Sequence, residues 1–208
     1  WGGNADHVGA DFRLGMTLAA EHLIRLGHKR IAFVGGGRRA SPARDRATAY
    51  RETLARYGLP LGPVVNCPPT GEDGARAVGD LVRGRRDDPT AILCFNDLCA
   101  FGVMLGLADR GLTVGRDVAV IGFDNIGEAA HHRPALTTID IGARHIGEEA
   151  ARLLVRRIGS PRGAPESVIL PPRLIVRSSC GAELQEANAT VPATSSKRRR
   201  GTKQGGML

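Results

Sequence analysis

PTAILCFNDLCAFGVMLGLADRGLTVGRDVAVIGFDN, residues 89–125, reads as a strand, a helix and a second strand. Ala91-Ile92-Leu93-Cys94-Phe95 has no polar alternation, the pattern of a strand covered on both faces in a parallel sheet. Asn96-Asp97 supplies a helix N-cap, with the capping role assigned to Asp97. Ala100, Val103, Met104 and Leu107 then form an apolar helical stripe that Gly111 ends. Val118-Ala119-Val120-Ile121-Gly122-Phe123 is the next buried strand and closes on Asp124-Asn125. Ligands of open parallel sheets bind beyond the carboxyl ends of the strands. Asn96 and Asp124 stand at two such ends, so the segment predicts a binding site for a polar molecule.

The same rhythm extends in both directions. Helices are predicted over Gly15–Leu26 and Pro42–Tyr57, the second capped by Ser41 and buried through Ala43, Ala47, Tyr50, Leu54 and Tyr57. Further helices are predicted over Gly71–Arg83 and Gly142–Ile158, the last burying Ile146, Ala150, Leu153 and Leu154. Arg30–Gly35, Val64-Val65, Ser167–Leu170 and Arg173–Val176 read as strands, and 131–136 as a loop rich in His and Pro. Alternating strands and helices imply an α/β fold on a parallel sheet.

Composition agrees. The 208 residues are 42% hydrophobic and 4% aromatic, enough for a substantial core. No apolar run reaches the ~18 residues a membrane helix needs. The start, WGGNADHVGAD, lacks the charged and apolar regions of a secretory signal and begins with Trp, so the chain is read as a piece of a longer, cytoplasmic protein. Cys67, Cys94, Cys99 and Cys180 form no metal-ligand spacing and read as reduced core thiols. Of the net charge of +8, Lys197-Arg198-Arg199-Arg200 and Lys203 against Glu183 and Glu186 account for +3. Residues 181–208 are accordingly expected to be a disordered basic tail. The chain carries no pattern of a DNA-reading helix–turn–helix or zinc finger.

Several motifs suggest other chemistry without completing it. Gly35-Gly36-Gly37 lacks dinucleotide-binding spacing and a Walker lysine. His131-His132 has no second pair of metal ligands. No nucleophile elbow or zinc-protease helix is present, so neither catalysis nor a cofactor or metal is expected.

Five further motifs, in register, carry a family resemblance. His22-Leu23-Ile24-Arg25-Leu26-Gly27-His28-Lys29-Arg30-Ile31 resembles the H-L-x-x-L-G-H-x-x-I signature of the lactose/galactose-repressor (LacI/GalR) family of bacterial transcription regulators. Arg46-Ala47-Thr48-Ala49-Tyr50 is similar to that family's R-x-x-G-F. Asn96-Asp97-x-x-Ala100-x-Gly102, Asp117-Val118-x-Val120-Ile121-Gly122-Phe123-Asp124-Asn125 and Pro134-x-Leu136-Thr137-Thr138-Ile139 match in the same order. The resemblance spans roughly residues 7–180 and implies a periplasmic-binding-protein-like type I fold: a Rossmann-like parallel-sheet lobe flanked by helices, with a partial second lobe. It implies that 1–11 and 135–162 are the remnant of an N-terminal lobe, and 12–134 with 163–180 the C-terminal effector-binding lobe.

The resemblance also implies a function. The chain would be the effector-sensing core of a repressor that binds a small polar effector such as a sugar. Operator DNA would be held by an upstream helix–turn–helix headpiece absent from these residues, in a homodimer with no membrane partner. The alternatives are a periplasmic sugar-binding protein of a transporter and an α/β enzyme. By the same resemblance Arg46, Asn96 and Asp124 contact the ligand, and Asp11 and Pro69 are further ligand-site positions. The residue types suit that role: an ionised Asp124 accepts two hydroxyls, Arg46 donates through a planar fork, and Asn96 does both. The plainer alternatives are that Asp124 caps a turn, that Arg46 is an exposed charge on its helix, and that Asn96 is only a turn residue.

Overall fold

The computed structural model describes residues 5–36, 41–159 and 163–183. Gly37, the side chain of Ser41 and the basic run within 184–208 lie outside the described residues. In chain order the elements are β1 (His7–Ala10), α1 (Phe12–Arg25), β2 (Ile31–Val34), α2 (Ser41–Arg56), β3 (Val64–Val65), α3 (Gly71–Leu81), β4 (Ala91–Cys94) and α4 (Asp97–Ala108). They continue as β5 (Ala119–Phe123), β6 (Thr137–Asp140), α5 (Ala143–Gly159), β7 (Ser167–Leu170) and β8 (Arg173–Ile175).

Six strands form one sheet in the order β3-β2-β4-β5-β6-β8, parallel except for β8 against β6. The apolar runs of β2, β4 and β5 are buried because helices cover both faces. Ile31 and Phe33 of β2 face one cluster with Leu23 of α1 and Tyr50 and Leu54 of α2. Ala32 and Val34 face the other, with Val78 of α3 and Val103 and Leu107 of α4. Tyr50 buries its hydroxyl by donating to the Ile31 carbonyl at 2.7 Å. Helices α3 and α4 approach closely at Gly102, where a Cβ would lie 1.8 Å from the Gly71 carbonyl oxygen. After β3 the chain returns to the other side of β2 to form β4, so the strand order reverses between β2 and β4. In open α/β sheets the carboxyl ends of the strands at such a reversal are where ligands bind.

A second, two-stranded parallel sheet joins β1 to β7, and α5 packs on β1. The guanidinium of Arg157 grips both oxygens of Asp6, which also accepts from the Glu166 amide at 2.9 Å. The pairing holds the Asp6 carboxyl down at about 2, chiefly through the Arg157 hydrogen bond.

The ladders redraw the boundaries expected from sequence. β6, grouped above with the partial lobe, pairs with β5 in the large sheet, whereas β7, grouped with the large lobe, pairs with β1. The sequence pattern predicts neither β1 nor β6 as a strand. The Thr-Thr-Ile-Asp of β6 offers no apolar run, yet Thr137 and Thr138 are fully buried with their hydroxyls bonded. Helix α5 also departs from expectation: only Leu153 is buried, while Leu154 is 61% exposed and Ala150 is exposed. Its apolar stripe is wider than the small sheet can cover. Tyr57, beyond the last turn of α2, is exposed as well. Residues 181–183, counted with the tail, lie against the body, Gly181 being buried and Ala182 packed on the core.

Candidate functional site

The site is built at the ends of β4 and β5. Beyond β4, Asn96 adopts an extended backbone (φ −147°, ψ 175°), and its Oδ1 accepts from the Cys99 amide at 2.9 Å. Asn96 is therefore the N-cap of α4, and Asp97 is not. Asn96 Nδ2 donates to the Pro69 carbonyl at 3.3 Å, tying the loop before α3 to the end of β4. Asp97 is in the first helical turn with its carboxyl turned inward and 1% exposed.

Beyond β5, Asp124 and Asn125 have φ of 105° and 52°, two consecutive non-glycine residues in the left-handed half of backbone space. The Asp124 amide donates to the Ile139 carbonyl of β6 at 2.8 Å. Its Oδ1 accepts from Arg46 Nη2 at 3.3 Å. Arg46, from the second turn of α2, is only 3% exposed. Its Nη1 donates to the Phe95 carbonyl. The guanidinium carbon lies 3.8 Å from the Phe123 ring centroid, 4.4 Å from that of Phe95 and 4.8 Å from that of Phe12. Three of the chain's five phenylalanines thus surround one cation. Arg46 Nε is buried with no hydrogen-bond partner among the described residues.

Burial dominates the electrostatics. It lowers the Arg46 pKa to about 10, against the opposing pull of Asp124. It raises that of Asp124, against the opposing pull of Arg46. Arg46 remains a cation at neutral pH, held by Asp124 and by the rings.

Asp124 opens onto a polar cleft of about 520 Å³ bordered by Asp140, Arg144, His145 and Arg173. A larger groove of about 880 Å³ lies between α3 and α4, lined by Ala75, Phe101, Met104 and Leu105. That groove is apolar, whereas the smaller cleft has Asp124 at its border.

Among the expected ligand residues, Arg46 and Asp124 come together, and Arg46 is not the exposed helix charge of the plainer alternative. Asn96 joins them through the backbone of its neighbour Phe95, while its own side chain is engaged in the cap. Pro69 contributes its carbonyl, with its ring exposed. Asp11 caps α1, accepting from the Leu14 amide at 2.9 Å, and its own amide donates to Leu170 at the cleft rim. Sequence reasoning missed Phe12, Phe95 and Phe123. The available signal was their adjacency to Asp11, Asn96 and Asp124.

The chain matches the periplasmic binding protein-like domain over residues 20–180. It is 32% identical over 183 residues to the HTH-type transcriptional repressor PurR of Vibrio parahaemolyticus, covering 86% of this chain and 55% of that protein. It superposes with a TM-score of 0.80 on a LacI family transcriptional regulator from Enterococcus faecium with bound ribose, at 30% identity, covering 86% of this chain and 67% of that one. A transcriptional regulator CelR–cellobiose complex aligns with a TM-score of 0.79 at 31% identity, covering 85% and 54%. The chain spans about half the length of the curated relatives it matches.

Proposed function

Because this chain belongs to the periplasmic binding protein-like domain family, as the effector-binding core of a LacI-family regulator, we propose that it senses a small hydroxylated effector and thereby governs operator binding by a transcriptional repressor. The observation that carries this reading is the caged Arg46–Asp124 pair at the strand ends. Its carboxylate, 30% exposed, faces the polar cleft, and its guanidinium keeps one buried N–H unpaired. An unpaired buried donor costs about 1–3 kcal/mol. A guest that donates to Asp124 gains from this carboxylate, whereas a deoxy analogue leaves it short of a donor. A sugar meets these demands, and two of the structural relatives are named with ribose and cellobiose.

Asp124 borders this cleft, with Arg46 behind it and joined to the backbone next to Asn96, and Asp11 and Pro69 are the further positions of the proposed site. The residues joined through β1, β7 and α5 belong to a second lobe, and effector in the cleft biases how the two lobes sit. A protein whose DNA-competent and incompetent forms differ in effector affinity is switched by that difference, and DNA opposes effector by the same factor. Operator DNA would be read by a helix–turn–helix unit such as the names of the relatives carry, in a cytoplasmic homodimer. The exposed Leu98 and Leu105 of α4 beside the apolar groove support pairing of two copies. The relatives named above are transcriptional regulators, which favours this reading over a transport component or an enzyme.

A thermal-shift and calorimetric screen against ribose, cellobiose and their deoxy analogues tests the proposal. Stabilisation by a hydroxylated sugar, lost in Asp124→Ala, is expected. A response that survives Asp124→Ala would make Asp124 a turn residue only.

A further inference from the structure

Two consecutive left-handed residues without glycine at the end of β5 require something to hold them, and the holder is on α4. The Asp97 carboxyl is buried behind the ligand-facing turn. Its Oδ2 accepts from the Ile126 amide at 2.9 Å, and its Oδ1 accepts from the Thr138 hydroxyl at 2.5 Å. Thr138 Oγ1 in turn accepts from the Asn125 amide at 3.4 Å. The amides of the two residues that follow Asp124 therefore both end on one carboxylate, one directly and one relayed by a hydroxyl. Gly122 makes room for it, since a Cβ there would lie 2.2 Å from Asp97 Oδ1.

We propose that Asp97 is the positioning residue of the ligand site: its carboxylate, relayed through Thr138, holds the Asp124–Asn125 turn so that Asp124 faces the cleft, and ligand affinity follows the ionisation of Asp97. The inference deepens the effector-sensing reading and rests on it for the statement about affinity. The mechanism follows from hydrogen-bond polarity. A carboxylate is acceptor-only and suits two converging donors. Once protonated, Asp97 carries a proton of its own toward Thr138, whose hydroxyl must then reverse. The hydroxyl oxygen is drawn away from the Asn125 amide, and the left-handed turn loses a restraint.

The charged groups facing Asp97 are Asp124 from the β5 end and Arg46 from α2. The Cys94 thiol of β4 lies close. Arg177, after β8, reaches the same turn by donating to Asn125 Oδ1 at 2.8 Å. Burial, with repulsion from Asp124 adding to it, pushes the Asp97 carboxyl up to about 6, so the switch falls near neutral pH.

The test follows the amide signals of Asn125 and Ile126 in the ¹⁵N-labelled chain as pH is raised. In the wild type both should move together, with a midpoint of about 6. Asp97→Asn should abolish both movements. Thr138→Val should free Asn125 while Ile126 still titrates, and Thr138→Ser should restore Asn125. These two variants decide the matter even where Asp97→Asn fails to fold. Persistence of both titrations in Asp97→Asn, or their indifference to Thr138→Val, would overturn the inference. D-ribose and cellobiose are then added on either side of the midpoint, with tighter binding expected on the alkaline side and loss of that difference in Asp97→Asn. Equal affinity on both sides in the wild type would overturn the link to binding. If neither sugar binds at any pH, the effector reading loses support while the amide titration still decides the role of Asp97.

Discussion

The Arg46–Asp124 pair predicts an unequal response to losing either partner. Arg46 is 3% exposed, so removing its counter-ion strands a buried cation, whereas the Asp124 side chain is 30% exposed and recovers water when Arg46 is removed. Asp124→Asn keeps the size of the side chain and tolerates positive φ, but replaces a charge-assisted hydrogen bond with a neutral one. Bonds to charged groups contribute about 1.5–3 kcal/mol. Discounting for the partial exposure of Asp124 gives a destabilisation of about 2 kcal/mol. Arg46→Met loses a desolvated cation–π contribution of about 2 kcal/mol but removes the buried charge. It also regains about 0.3–1.5 kcal/mol of sulfur–aromatic contact with the same rings, so its net cost is about 1 kcal/mol. In the double variant the stranded charge is gone, and the cost should fall short of the sum by about 1 kcal/mol. Urea unfolding of the four proteins at neutral pH measures the cycle. Melting temperature should fall by about 4–8 °C for Asp124→Asn, at 2–4 °C per kcal/mol for a chain of this size. Additive costs, or an Asp124→Asn variant within about 0.5 kcal/mol of wild type, would refute the claim that Arg46 is a buried cation held by Asp124.

Four other outcomes are expected. The folded-state pKa of Asp97 lies above its unfolded value of 3.8, so its contribution to stability is complete below about pH 4 and is lost as pH rises through about 6. That loss is on the order of 3 kcal/mol, read as the difference in urea midpoints between wild type and Asp97→Asn across that window. Gly102→Ala drives a methyl into the Gly71 carbonyl, which cannot yield without parting α3 from α4, and should cost about 3 kcal/mol in the same assay. On α5, Leu153→Ala should cost about 2–5 kcal/mol. Leu154→Ala, at an exposed site, should cost about 0.5 kcal/mol or less, and the reverse order would mean the helix is rotated. Leu105→Glu, exposed beside the α3–α4 groove, should leave the melting temperature nearly unchanged and reduce the self-association read by analytical ultracentrifugation.

What the sequence makes legible divides along physical lines. Strands β2, β4 and β5 announce themselves because burial on both faces leaves no room for polar residues. Helix α4 is legible from its stripe and its cap, although the cap is shared between two residues that both suit it. Backbone geometry decides for Asn96, and the decision frees Asp97 for the interior. β6 escapes notice because its polarity is satisfied by distant partners, Thr137 by the Arg177 carbonyl and Thr138 by Asp97. The stripe of α5 overstates burial because periodicity shows which residues could be covered, not how much surface covers them. Arg46 and Asp124 stand out as candidate site residues from motif context. The burial of Arg46 does not, since Phe12, Phe95 and Phe123 come from α1 and from the ends of β4 and β5. Only the sheet brings them together.

The most direct measurement is the ¹H–¹⁵N signal of the Arg46 side-chain Nε–H group, followed as ribose or cellobiose is added. A caged guanidinium should give a ring-current-shifted, slowly exchanging signal that moves on saturation with a bound sugar and is lost to bulk-like exchange in Asp124→Ala. A signal that exchanges like that of exposed Arg44 and ignores every sugar offered would contradict the assignment of this cleft as the sensing site.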